Sequence, residues 1–397
     1  VYDRTINEGT RGAEGIKRMN TEQTGGNPQN RIESLDLIRA LAAFFVVLHH
    51  TIEFICHFQL LSRNDLGTFE LSAGFFLFTI AKTGVPFFLM LTGFLLLSRK
   101  YESWKDVKNF YLKHLLPLFI TWEIWILIYN VFLAIFNKTG FDFLMYLRNA
   151  FFIQHTELTH TWYMPAILGI YLFLPLLGWI LSKIPGRWLL ILLAISYAYF
   201  FIVPSIRLLQ VAWDIPMAFR WVTQLDLSFA GGKHALFVLL GYCFKRWENR
   251  IDLLFQNKIL YLPIALVLAA SLLFSVPLQI VLYSAKDALF VGYDFFLLPI
   301  VSASAFALLK RIRIVSGFKK CCKKFSECSF GIYLLHVMFL MPLLRIAGDI
   351  LHGPGMAVLC AIGLYLISFL LTWVLSLIPG VGKVLFHTKP WNLMHDQ

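Results

Sequence analysis

The sequence predicts an all-α fold, a polytopic transmembrane helical bundle of about ten helices with both termini cytoplasmic. Three observations predict it. Of 397 residues, 58% are apolar and 15% charged, whereas soluble domains run near half apolar and a quarter charged. Mean hydropathy is +0.68, and the apolar residues, 38 phenylalanines among them, gather into runs of the roughly 20 residues a bilayer crossing needs. The basic residues crowd into alternate connections between those runs, as positive-inside topology requires. These observations exclude a soluble multidomain enzyme, a disordered scaffold and a nucleic-acid-binding protein, for which the net charge of +12 would otherwise argue.

In chain order, residues 1–30 are polar and Gly-rich and read as a disordered cytoplasmic tail. They carry no signal-peptide pattern, so the first apolar run is expected to act as an uncleaved anchor. The predicted spans are Ser34–Phe58, Ser72–Leu97, Leu112–Phe136, His160–Leu181, Trp188–Pro204, Ser228–Phe244, Ile259–Ser275, Ala288–Leu309, Phe325–Ile350 and Met356–Pro379. They make one transmembrane domain over residues 31–383, with a cytoplasmic tail over residues 384–397. The run Leu278–Leu282 reads as a loop element, and Lys310–Lys324 as a basic cytoplasmic loop. The outer loops hold only Arg63, Lys138, Arg148, Arg207, Arg220 and Lys286, so every cytoplasmic connection matches or exceeds its outer neighbours. The longest outer loops, Lys138–Thr159 and Ser205–Leu227, are expected to form the outer face of any site. The six cysteines suggest no disulfide framework. Cys321, Cys322 and Cys328, in or beside KKCCKKFSEC, read as reduced cytoplasmic thiols, with zinc binding as the alternative.

Ionisable groups inside apolar segments are costly, so each points to function. Eleven residues advance a helix by about 1100°, about 20° past three turns, so Arg39 and His50 share one face about 16 Å apart along the axis. Asp36, Glu53 and His57 fall in the same arc, and His49 outside it. That stripe must face protein or water. Structural pairs at i,i+3 spacing, Asp36 with Arg39 and His50 with Glu53, are the plain alternative to chemistry. Lys82 lies in AKTGVPFFLMLTGFLLL, where Gly84 and Pro86 interrupt the helix and free backbone groups to line a cavity. His160 and Trp162 open the fourth segment near the outer interface, where aromatic anchoring competes with a binding role. His336, three residues after Tyr333 in CSFGIYLLHVMFL, falls near mid-depth. Glu123, Lys233, His234 and Arg345 are explained equally by local hydrogen bonds or interfacial placement. The sequence contains no Gly-rich phosphate loop, HExxH or GxSxG pattern. Any enzymatic chemistry is therefore inside the bundle.

At these residues the sequence resembles the acyltransferase-3 family of integral membrane O-acyltransferases, in the single-domain branch that includes the enterobacterial common antigen O-acetyltransferase. SLDLIRALAAFFVVLHH matches the family's Arg-x10-His signature with Arg39 and His50. KTGVPFFLMLTGFLLL resembles the G-V-x-F-F-x-x-S-G-F block, with Lys82 where arginine is common and Thr92 where serine is usual. HTWYMPAILGIYLFLPLL resembles the H-L-W-[FY] block, and SFGIYLLHVMFLMPLLR the S-x-x-[IV]-Y-x-x-H block. The resemblance implies a multi-pass protein of the bacterial cytoplasmic membrane that moves an acyl group, usually acetyl from acetyl-CoA, without a metal. The acceptor it implies is a hydroxyl of a cell-surface glycan or lipid-linked glycan precursor. It would place His50 as general base, with a covalent acyl-histidine as the alternative, Glu53 as its orienting carboxylate, and Arg39 at a CoA phosphate or the thioester. Lys82 would stand at the oxyanion or the CoA phosphates. Asp36, His160, Trp162, Tyr333 and His336 would line the substrate path. The same architecture supports a second reading, a transporter or exporter of a small polar substrate or polysaccharide.

Overall fold

The computed structural model describes residues 28–58, 66–213, 215, 231–256, 260–286 and 291–388. Among the described residues every regular element is helical. The first half comprises α1 (Pro28–Ile55), α2 (Thr68–Ala81), α3 (Gly84–Thr92), α4 (Trp104–Phe110), α5 (Leu116–Asn137), α6 (Phe143–Ala150), α7 (Tyr163–Lys183) and α8 (Gly186–Tyr197). The second comprises α9 (Val203–Ala212), α10 (Gly232–Arg246), α11 (Glu248–Gln256), α12 (Tyr261–Lys286), α13 (Leu297–Leu309), α14 (Ser316–Ala347), α15 (Gly353–Ser376) and α16 (Val381–Phe386). Wide π turns at Gly93–Leu97, Tyr111–Leu115 and Ala198–Ile202 continue α3, join α4 to α5, and join α8 to α9.

Eight of these stretches are long and apolar enough to cross a bilayer, so the chain is a polytopic helical membrane protein. The sixth and eighth predicted spans are shorter than expected. Their helices, α10 and α13, have 15 and 13 residues, about 22 and 20 Å at the α-helical rise, against a hydrocarbon core of about 30 Å. The chain before each of them, residues 216–230 and 287–290, lies outside the described residues, as do Arg63, Arg220, Trp221 and most of both predicted tails. Four further expectations are corrected. Leu278–Leu282 is helical, because α12 runs on through Pro277. The basic run Lys319–Lys324 is the first part of α14 rather than a loop. Lys138–Thr159 contains α6, whose Phe143 and Leu144, with Phe151 and Ile153 beyond it, turn apolar side chains outward. The loop expected at Ser205–Leu227 begins as helix α9.

Lipid tails are as apolar as leucine, so helices in a bilayer are held by close packing rather than by water exclusion. The sequence supplies glycine where two backbones meet. A Cβ on Gly93 would collide with the Val238 carbonyl, and one on Gly241 with the Met90 carbonyl, so α3 with its π turn and α10 touch backbone to backbone. Gly84 likewise sets the start of α3 against α1, where a Cβ would come within 2.8 Å of the Ala42 oxygen. Around α1 stand α2, α3, α14 and α15. The Thr68–Leu97 span is largely buried, whereas Gly186–Gln210 is largely exposed and forms part of the rim. On the Arg39 side a polar clasp ties α11 to its neighbours. Glu248 accepts from Lys245 and Lys310 at 2.8 Å each, and Asp252 pairs with Arg311 at 2.5 Å.

Candidate active site

The α2–α3 break places Lys82. Pro86 lacks an amide hydrogen and cannot donate to an i−4 carbonyl; the helix stops at Ala81 and restarts at Gly84. The glycine contact with α1 presses that break against the first helix. Lys82 is therefore buried, with Nζ 3.4 Å from His49 Nε2 and 4.3 Å from the centre of the Tyr293 ring. Glu53 lies one turn further along α1. Its Oε2 is 3.5 Å from His50 Nδ1 and 3.8 Å from His49 Nε2.

Two distant segments complete the cluster. A 3-10 turn at Thr159–Trp162 carries His160 inward, and α14 supplies His336. Ring centres lie 5.4 Å apart for His50 and His336, 5.1 Å for His160 and His336, and 6.4 Å for His50 and His160. His160 is buried at 2% exposure and His336 at 0%, so His160 belongs to the interior and not to an interfacial belt. The Tyr333 hydroxyl donates to the His160 carbonyl at 2.8 Å, which locks α14 to the turn. His50, Glu53, Lys82, His160 and His336 are thus brought together. Trp162 borders them, its ring tilted against those of Tyr293 and His234 with centres 4.9 and 5.0 Å away.

Arg39 and Asp36 are not in this cluster. They sit near the other end of α1, where Arg39 is 3.6 Å from Asp36 and donates to the Ser326 hydroxyl at 3.2 Å. Ser326 in turn donates to Asp36 at 2.7 Å. Arg39 lines a cavity of about 600 Å³ together with Arg99, Tyr171, Lys323, Ser326 and His387. A second chamber, of about 10 Å³ and therefore the size of one water, is lined by His49, His50, His160, Trp162, Val46 and Val85. Tyr163 and Tyr333 line both spaces, their rings 5.6 Å apart. They form the wall between the Arg39 cavity and the histidines.

The sequence reading missed several members. His49 leaves the Arg39–His50 arc as expected, yet it meets Lys82 from the α2–α3 break. Its one available signal was the His49-His50 dipeptide. Tyr129, Tyr163 as a dividing wall, and Tyr293 come from distant segments and had no local signature. His57 drops out of the stripe because α1 ends at Ile55 and His57 has a left-handed φ of 50°. His49, His50 and Glu53 each place a ligand atom within 4.8 Å of the others and could hold a cation. Lys82 already puts a positive charge beside them.

The acyltransferase-3 family profile, an acyltransferase domain, matches residues 32–377. The chain belongs to this acyltransferase family. No curated protein and no solved structure matches it. A membrane acyltransferase needs an acyl donor and an acceptor.

Proposed function

We propose that this acyltransferase moves an acetyl group from cytoplasmic acetyl-CoA to a hydroxyl of a cell-surface glycan or lipid-linked glycan precursor, in a bacterial cytoplasmic membrane. The observation that carries the reading is the shared tyrosine wall between the Arg39 cavity and the histidine chamber. The basic side chains of Arg39, Arg99 and Lys323 suit the phosphates of a CoA donor, guanidinium matching phosphate geometry. The pantetheine arm then points along α1 toward His50, a helical distance of about 16 Å. At the chamber, His50 is the proton-transfer group, held by Glu53. The ammonium of Lys82 faces the oxygen that becomes negative when the thioester carbonyl turns tetrahedral. Trp162 and His234 face the acceptor, since aromatic rings suit a sugar face. Purified protein supplied with labelled acetyl-CoA and an envelope glycan should transfer label, and His50→Ala should abolish transfer. Flux of a glycan or small polar solute with no acyl transfer would favour transport instead.

A further inference from the structure

Two imidazole nitrogens of the cluster have their protonation set by the hydrogen bonds of their neighbours. Tyr129 is fully buried, and its hydroxyl donates its single proton to the Leu334 carbonyl at 2.9 Å. The same oxygen lies 3.2 Å from His160 Nε2; with its proton given to Leu334 it accepts there, and His160 Nε2 carries the hydrogen. His160 Nδ1 is left with a lone pair, and this buried atom has no hydrogen-bond partner among the described residues. On α14, His336 Nδ1 is 2.7 Å from the Tyr333 carbonyl and 3.2 Å from that of Ile332. Carbonyls only accept, so Nδ1 carries the hydrogen and Nε2 keeps a lone pair, again buried and without a partner. Native proteins rarely leave buried acceptors empty without a use for them. Two such acceptors on rings 5.1 Å apart, one of them on the wall of the chamber beside His50, form a built receptor for a proton.

We infer that His160 is a second catalytic base, that His336 is its relay, and that Tyr129 is the positioning residue that fixes the His160 tautomer. This rests on the acyl-transfer reading and divides the proton traffic within it. The acceptor oxygen forms a C–O bond to the acyl carbon, and its proton passes to His160 Nδ1. Collapse of the tetrahedral adduct breaks the C–S bond, and the thiolate takes the proton held by His50, whose charge Glu53 balances. One proton has then moved from His50 to His160. It returns through His336, whose ring lies 5.1 Å from His160 and 5.4 Å from His50.

The test compares two acceptors in membranes containing the full chain: the endogenous glycan fraction and hydroxylamine, both supplied with labelled acetyl-CoA. Hydroxylamine is neutral at pH 7 and attacks a thioester before losing a proton, so it does not need the base. His160→Gln keeps a donor facing Tyr129 but removes the Nδ1 lone pair. It should lower glycan labelling at least about 100-fold, within the usual range for a lost general base, and hydroxamate formation less than about tenfold. Tyr129→Phe should lower glycan labelling by about tenfold and leave hydroxamate formation near wild type. Equal losses with both acceptors would reveal a merely structural role, and no loss would remove the role altogether; either overturns the assignment while the acyl-transfer reading stands. Wild-type protein that labels neither acceptor overturns that reading and the assignment with it.

Discussion

Glu53 is the electrostatic centre of the histidine cluster. Its carboxylate lies between two imidazoles, 3.5 Å from His50 and 3.8 Å from His49, and Lys82 approaches His49 from another helix. A buried ammonium is costly unless its charge is answered, and the nearby carboxylate answers it. If Lys82 stabilises the oxyanion, Lys82→Met should lower transfer roughly 10²–10³-fold, the usual cost of a lost oxyanion donor. Lys82→Arg, which keeps the charge, should retain measurably more activity; the check is labelled transfer at saturating donor. His50→Ala should cost about 10²–10⁴-fold in the same assay, as expected for loss of a proton-transfer group. At this scale the sequence was informative wherever an ionisable residue stood out against apolar neighbours, as Arg39, His50, Lys82 and His336 do. It was silent on Tyr129 and Tyr293, since tyrosine in a membrane helix is unremarkable until its long-range partner is known.

The elements are held by two kinds of contact that respond to different perturbations. Backbone approach at Gly93 and Gly241 leaves no room for a Cβ, and neither neighbour there is a flexible side-chain tip. Gly241→Val should therefore force α10 away from α3 and lower the unfolding temperature in detergent, by an overpacking cost of about 1–3 kcal/mol or more. The clasp on the Arg39 side is electrostatic. Burial alone would push the Glu248 carboxyl up, but hydrogen bonds from Lys245 and Lys310 outweigh it and hold the group below its ordinary range. A carboxylate with a depressed folded-state value stabilises the fold fully above its unfolded value and loses that contribution as pH falls through the lower folded one. Glu248→Gln should thus be destabilising by roughly 1–3 kcal/mol at neutral pH. The gap to wild type should close in strongly acidic buffer, as thermal unfolding across pH would show. Each of the ten predicted spans contains a helix, and eight of these stretches are long and apolar enough to cross a bilayer, because long apolar runs are a property of local sequence. It misplaced the ends of α10, α12 and α14 because those ends are set elsewhere. Pro277 is absorbed inside α12, and the basic start of α14 is anchored by the Lys319–Glu33 pair at 2.9 Å.

Over the whole molecule, the path along α1 links the Arg39 cavity to the histidine chamber. The Arg39 cavity, the Tyr163–Tyr333 wall and the histidine chamber follow one another from the basic side inward. Native Cys321 is exposed at the basic start of α14, and His352 is exposed beyond its other end. With the topology proposed, a membrane-impermeant thiol reagent should reach Cys321 from the cytoplasmic side, and a cysteine at position 352 from the opposite side. Labelling of both from one side would break the topology. The central claim is that this chain passes an acyl group from a cytoplasmic donor through the histidine chamber to an acceptor. The most direct measurement uses sealed vesicles containing the oriented protein, with labelled acetyl-CoA at the Arg39 face and the envelope glycan at the other. Label on the glycan with wild-type protein, and none with His50→Ala of matching thermal stability, is the predicted result. Equal labelling by the two proteins would contradict the account.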